Sequence, residues 1–206
     1  MMTCPARPLH LIKVAVAGLL VFGLGGKCLA FTTVVIDPGH GGKDPGCVWN
    51  GMYEKTLCLD VAKRLRDLLR EKELRVVMTR ESDRFLELHE RAVISNRQEN
   101  AVFVSIHFNA ARDRSISGFE VHFRSPRGRE LAQAIGNGIS KAVKTRRREG
   151  DWQDYKVLRE TRATAVLVEC GFISHKGEAG RCGTPAHRQA LAKGIAAGIL
   201  AIKTKL

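Results

Sequence analysis

The chain has 206 residues, 44% hydrophobic and 27% charged, with a formal net charge of +13 at neutral pH. That length holds one ordinary domain and a short extra segment, which excludes two independent cores. The composition is that of a globular protein and excludes a low-complexity or disordered chain.

Residues 1–30 carry Arg7, Lys13 and Lys27, no acid, and an apolar stretch from Val14 to Leu24. A run of about eleven apolar residues falls short of the roughly 20 needed to span a bilayer. Cys28-Leu29-Ala30 supplies small residues for an A-x-A-like site, so the layout predicts a signal peptide at 1–30 cleaved after Ala30, with an uncleaved anchor as the alternative. No stable membrane span is expected after processing. Export then places the remaining domain, residues 31–206, in the periplasm or outside the cell, associated with the wall.

Removing the three basic residues of that segment lowers the net charge from +13 to +10. A basic excess on an exported chain fits wall polymers, stem-peptide carboxylates or anionic headgroups as partners, and equally a merely solubilising surface. The densest cluster, Lys141, Lys144, Arg146, Arg147 and Arg148, has no interleaved aromatics. Nucleic acid is therefore not an expected partner.

Phe31 to Ile36 is a β-branched run that stops at Asp37-Pro38-Gly39, which predicts a buried strand followed by a glycine-rich loop up to Gly51. Leu57, Val61, Leu65 and Leu68 fall at helical spacing within Tyr53 to Lys72. Arg75 to Met78 reads as a short strand, Leu86 to Gln98 as a second helix, and Val102 to Ile106 as an interior strand. Phe119, Val121 and Phe123 alternate with Glu120 and His122, the period of a half-exposed strand with His122 on its polar face. Leu131, Ile135, Ile139 and Ala142 mark a third helix, followed by a basic connection through Gly150. Thr164 to Val168 reads as a last buried strand, and Leu191, Ile195, Ile199 and Ile202 as a closing helix. Strands alternating with helices predict an α/β fold, a single three-layer αβα domain whose central sheet is mostly parallel or mixed and flanked by helices.

His40, His107 and Glu169 each stand at the exit of a predicted buried strand. Ligands bind at the carboxyl ends of strands in open α/β sheets, so these groups can converge on one crevice. Glu54, at the start of the first helix, can join them. Two imidazoles and one carboxylate form a zinc set with an open fourth position. A further carboxylate can move the water proton to a leaving nitrogen. Here it is Glu169, whose pKa the surrounding buried strand should raise. His89-Glu90 is no H-E-x-x-H site, because Val93 stands where the second histidine belongs. His175 and His187 read as surface or supporting groups. Cys47, Cys58, Cys170 and Cys182 allow three pairings that the sequence leaves open; free buried thiols are the commoner state.

Taken together, V-V-I-D-P-G-H-G-G-K-D-P-G (Val34 to Gly46), G-M-Y-E-K (Gly51 to Lys55), T-R-E-S-D-R-F-L-E-L-H-E-R (Thr79 to Arg91), S-I-H-F-N-A (Ser105 to Ala110) and V-L-V-E-C-G-F-I-S (Val166 to Ser174) resemble the zinc-dependent N-acetylmuramoyl-L-alanine amidases of bacterial cell separation. The resemblance runs from about Thr33 to Ile202. It implies His40, Glu54 and His107 as ligands of one Zn2+, Glu169 as the catalytic acid/base, and peptidoglycan as substrate, cut between N-acetylmuramic acid and L-alanine. Some such enzymes carry an inserted helix that plugs the site. Here Phe123 passes through Ser125-Pro126-Arg127-Gly128 straight into the third helix, so no plug and no required activator protein are expected. A carboxypeptidase-like zinc hydrolase of wall peptides and a non-catalytic wall-binding module are the competing readings.

Overall fold

Residues 31–49 and 51–203 are described in the computed structural model, and the expected signal peptide lies outside them. In chain order the elements are β1 (Thr33–Pro38), β2 (Val48–Trp49), β3 (Met52–Tyr53), α1 (Glu54–Arg70), β4 (Arg75–Met78), α2 (Leu88–Asn96) and β5 (Ala101–Asn109). After them come β6 (Glu120–Phe123), α3 (Pro126–Ala142), α4 (Lys156–Glu160), β7 (Thr164–Phe172), α5 (Lys176–Cys182) and α6 (Pro185–Ile202).

Five strands form one sheet in the order β4-β1-β5-β7-β6. All pairs are parallel except β6, which runs antiparallel to β7. The expected αβα domain with a mixed sheet is therefore what forms. Parallel strands need cover on both faces, and the two covers are unequal. Val34, Ile36, Val104, Ile106, Val166 and Val168 pack with α1, α3 and α6 into the main core. Val35, Phe103, Ala165 and Leu167 pack with Val157 and Leu158 of short α4 into a smaller one. The thinly covered face leaves room for a site at the carboxyl ends of the strands.

Local sequence explains where the helices begin. Ser125 Oγ accepts from Gly128 N at 2.9 Å with Pro126 in the first turn, and Thr184 Oγ1 accepts from His187 N at 3.3 Å ahead of Pro185. Both pairings satisfy amide hydrogens that a helix start would otherwise leave free. Glycines in α3 and α6 serve contact rather than flexibility. A Cβ on Gly138 would collide with the Gly194 carbonyl, so only glycine lets these helices cross so closely.

Three short elements escape the periodicity reading. The β2–β3 hairpin spans the end of the segment expected to be loop and the expected start of the first helix, and α4 and α5 span five and seven residues. His122 also departs from its expected exposed place. It is buried, with Nδ1 3.0 Å from Asp151 Oδ1 and its ring edge-on to Tyr155. The connection from Arg147 to Trp152 runs beside β6 and covers that edge, which turns an exposed strand face into an interior one. The four cysteines named above are all unpaired, and Cys58, Cys170 and Cys182 are buried. No helix among the described residues is long and apolar enough to cross a membrane.

Candidate functional site

The loop leaving β1 places His40 with a positive φ of 58°, a conformation that side-chain-bearing residues adopt only where surrounding contacts fix it. Two buried arginines supply those contacts. Arg80 donates to the carbonyls of Pro38 (3.0 Å), Gly39 (2.7 Å) and Lys55 (2.9 Å). Arg91 donates to the carbonyls of Pro38 (2.7 Å) and His40 (2.8 Å). Asp37 neutralises Arg91 at 2.9 Å and also accepts from Thr79 Oγ1 (2.6 Å) and Ser105 Oγ (2.7 Å). The Arg91 charge is thus buried but paired, while that of Arg80 is met by backbone carbonyls alone; buried charge is tolerated where partners or hydrogen bonds of this kind compensate it.

Glu54 opens α1 directly after the hairpin and is 2% exposed. His40 Nε2 and His107 Nδ1 both lie 3.0 Å from Glu54 Oε1. Backbone amides of Cys47 and Phe108 donate to the two carboxylate oxygens at 2.8 and 3.1 Å. Burial pushes the Glu54 carboxyl up, but the hydrogen bonds and charges of His107 and His40 outweigh it and hold it far below the usual carboxylate range. Burial likewise pulls the His40 imidazole down, while Glu54 and Asp44 together raise it above the ordinary histidine value. Asp44 Oδ2 sits 2.8 Å from His40 Nδ1, leaving Nε2 to face the site. Gly39 must lack a side chain, since a Cβ there would fall on the His107 ring.

One donor atom each from His40, Glu54 and His107 lies within 4.8 Å of the other two. Two nitrogens and one carboxylate oxygen at that spacing fit a zinc ion, which takes such a set with one position left open. All three sequence-derived ligand candidates therefore meet.

Glu169 meets them too, by register. It pairs with His107 across β5 and β7, and with Glu120 across β7 and β6, so these three side chains share one level and one face of the sheet. Its Oε2 is enclosed and has no hydrogen-bond partner among the described residues. Burial, together with the charges of Glu54 and Glu120, pushes its pKa well above the carboxylate range. Glu120 is itself held by Arg148 at 2.7 Å.

Sequence reading missed Asp44, Asp37, Arg80, Arg91 and Glu120. Asp44 carries a local signal, a carboxylate four residues after the loop histidine. The others act through contacts distant in sequence. His175 caps α5 by accepting from Glu178 N at 3.1 Å, a supporting role as expected.

The sequence profile described as N-acetylmuramoyl-L-alanine amidase matches residues 34–201. The chain belongs to this family. Among similar sequences, the uncharacterized protein YqiI of Bacillus subtilis is 36% identical over 171 residues, covering 81% of this chain and 82% of that one. The probable cell wall amidase LytH of Staphylococcus epidermidis is 33% identical over 170 residues, again 81% of this chain but only 57% of the relative. The crystal structure of N-acetylmuramoyl-L-alanine amidase from Clostridium difficile 630 superposes with a TM-score of 0.80 at 36% identity, covering 84% of this chain and 97% of that one. The CwlD amidase of Clostridioides difficile, solved in complex with the GerS lipoprotein, gives 0.79 at 28% identity, with 82% and 97% covered.

Proposed function

We propose that this protein is an exported, zinc-dependent peptidoglycan hydrolase that cleaves the amide between N-acetylmuramic acid and the L-alanine of the stem peptide. The observation that carries the reading is the meeting of His40, Glu54 and His107 at the edge of the sheet with Glu169 on the adjoining strand. Family membership supplies the bond.

His40, Glu54 and His107 would hold the ion. Zinc in such a set polarises a scissile carbonyl and lowers the pKa of a water to about 7. Asp44 fixes the tautomer and orientation of His40, as carboxylates behind metal-binding histidines do. Arg80 and Arg91 keep the His40 loop from relaxing. Glu169 takes up the water proton at its unpartnered Oε2 and gives it to the leaving nitrogen, work suited to a carboxyl whose pKa burial and neighbouring carboxylates raise.

The export reading rests on the layout of residues 1–30, with cleavage after Ala30. It is supported by the core position of Phe31, which is 1% exposed. Turnover without a partner protein is part of the reading and is supported by the direct passage of β6 into α3 through Ser125. The GerS complex of the CwlD neighbour makes a partner the contrary outcome to test.

Purified protein is incubated with labelled peptidoglycan, with and without a chelator, and the products are identified by mass spectrometry. Free stem peptides beginning with L-alanine, formed only when zinc is present, are expected. Release of single amino acids would indicate a carboxypeptidase, and binding without any product would indicate a wall-binding module.

A further inference from the structure

The groups on the two sides of the histidine pair differ in chemistry. Beside His40 and His107 lies a cavity of about 350 Å3 walled by Phe85, Leu86, Leu88 and Val157, a size within the roughly 300–1,000 Å3 of small-molecule pockets. The charged groups along it are already engaged. Asp37 pairs with Arg91, Asp44 with His40, and Glu87 caps α2. Lys43 lies 4.4 Å over the Phe85 ring without lining the cavity. The cavity therefore offers apolar surface and no free charge.

Across the sheet in the other direction come Glu169, then Glu120, then Arg148. Arg148 donates to Glu120 through Nε alone, so among the described residues its two terminal nitrogens have no side-chain acceptor. Its guanidinium also lies 5.7 Å from the Phe172 ring, which fixes it beside the end of β7. A planar fork with free donors suits a carboxylate.

The bond named under the proposed function, on which this inference rests, has the same asymmetry. Its acyl side is an uncharged N-acetylmuramoyl group, and its amine side is a peptide bearing carboxylates. The proton donor must stand on the amine side, because the nitrogen is what leaves. Glu169 stands on the β7 side of the histidines, towards Arg148 and away from the cavity.

We infer that the substrate lies across the sheet in one direction, with its muramoyl side in the cavity walled by Phe85, Leu88 and Val157 and its stem peptide over Glu169 towards Arg148. Leu88 and Arg148 then set specificity for opposite halves of the same substrate. Leu88 is 48% exposed at the start of α2, so a larger side chain there narrows the cavity without entering the core.

The test uses the two products as inhibitors of the zinc-loaded enzyme. Leu88→Trp should weaken inhibition by N-acetylmuramic acid about tenfold and leave inhibition by the free stem peptide within about twofold, the scale of small changes in pocket contacts. Arg148→Gln should do the reverse, about tenfold on the peptide, from loss of a charge-assisted hydrogen bond. Arg148→Lys should recover part of that loss, and amidating the peptide carboxylates should abolish the difference between wild type and Arg148→Gln. The crossed pattern, or equal effects of either variant on both products, overturns the orientation while leaving the amidase reading intact. A wild-type enzyme that releases neither product overturns both.

Discussion

His107 and Glu169 stand opposite each other on adjacent parallel strands, the last matched pair before the register between β5 and β7 shifts. The pairs before it, Val104 with Val166 and Ile106 with Val168, are buried, so the match is fixed by the core. A slip of one residue would turn the apolar set of a strand outwards. The spacing between His107 and Glu169, the proposed ligand and the proposed acid/base, is thus set by sheet packing, not by a mobile loop.

From this follows a separation of binding from catalysis. Glu169→Gln should keep one zinc per chain and lose about 10²–10⁴-fold in turnover, the range for a general acid/base. Elemental analysis beside a rate measurement checks it. Loss of metal in step with activity would make Glu169 a ligand instead.

The same residue gives a pH dependence. Its folded pKa is raised, first by burial and then by Glu54 and Glu120, so folding takes up a proton there. Such a group stabilises fully below the unfolded value of about 4.3 and loses that contribution as the pH rises through the folded pKa. In chelator, wild type should therefore lose stability relative to Glu169→Gln as the pH rises from about 4 through the raised folded pKa. Urea midpoints taken across that window give the answer; identical slopes for the two proteins would refute it.

Much of this was legible in the sequence because it depends on short-range order. Val34 to Ile36 and Val102 to Ile106 announce buried strands, and histidines following such runs must emerge at the sheet edge. Glu54, at the start of a helix, was readable more from the G-M-Y-E-K motif than from its placement. What stayed hidden depends on contacts far apart in the chain. His122 alternates with apolar neighbours and reads as exposed, yet a segment some 30 residues later, carrying Asp151 and Tyr155, closes over it. Helices of five and seven residues, α4 and α5, are too short to show a period.

Asp44 tests the support of the metal set. It touches His40 at 2.8 Å and its side chain is 42% exposed, so removing it leaves no buried hole. Asp44→Ala should lower zinc affinity about 10–100-fold, the usual cost of losing a carboxylate behind a metal-binding histidine. Competition with a chelating dye measures this, and an unchanged urea midpoint should accompany it.

Under the proposed metal site Arg91 would join folding to metal binding, and two variants can pull the functions apart. Removing one partner of a buried pair strands the other charge, so Arg91→Ala should cost about 3–5 kcal/mol in urea unfolding by leaving Asp37 unpaired. The double variant Asp37→Leu with Arg91→Met removes both charges, and replacing a whole buried pair with apolar side chains is often close to neutral. Much of the lost stability should therefore return. Zinc affinity should not, because Arg91 also donates to the carbonyls of Pro38 and His40, and neither replacement restores those donors. The His40 loop, with its positive φ, would lose the contacts that hold it in a folded protein. A double variant that regains full zinc affinity along with its stability would show that Arg91 serves the core alone, and that Arg80 is enough to hold the loop.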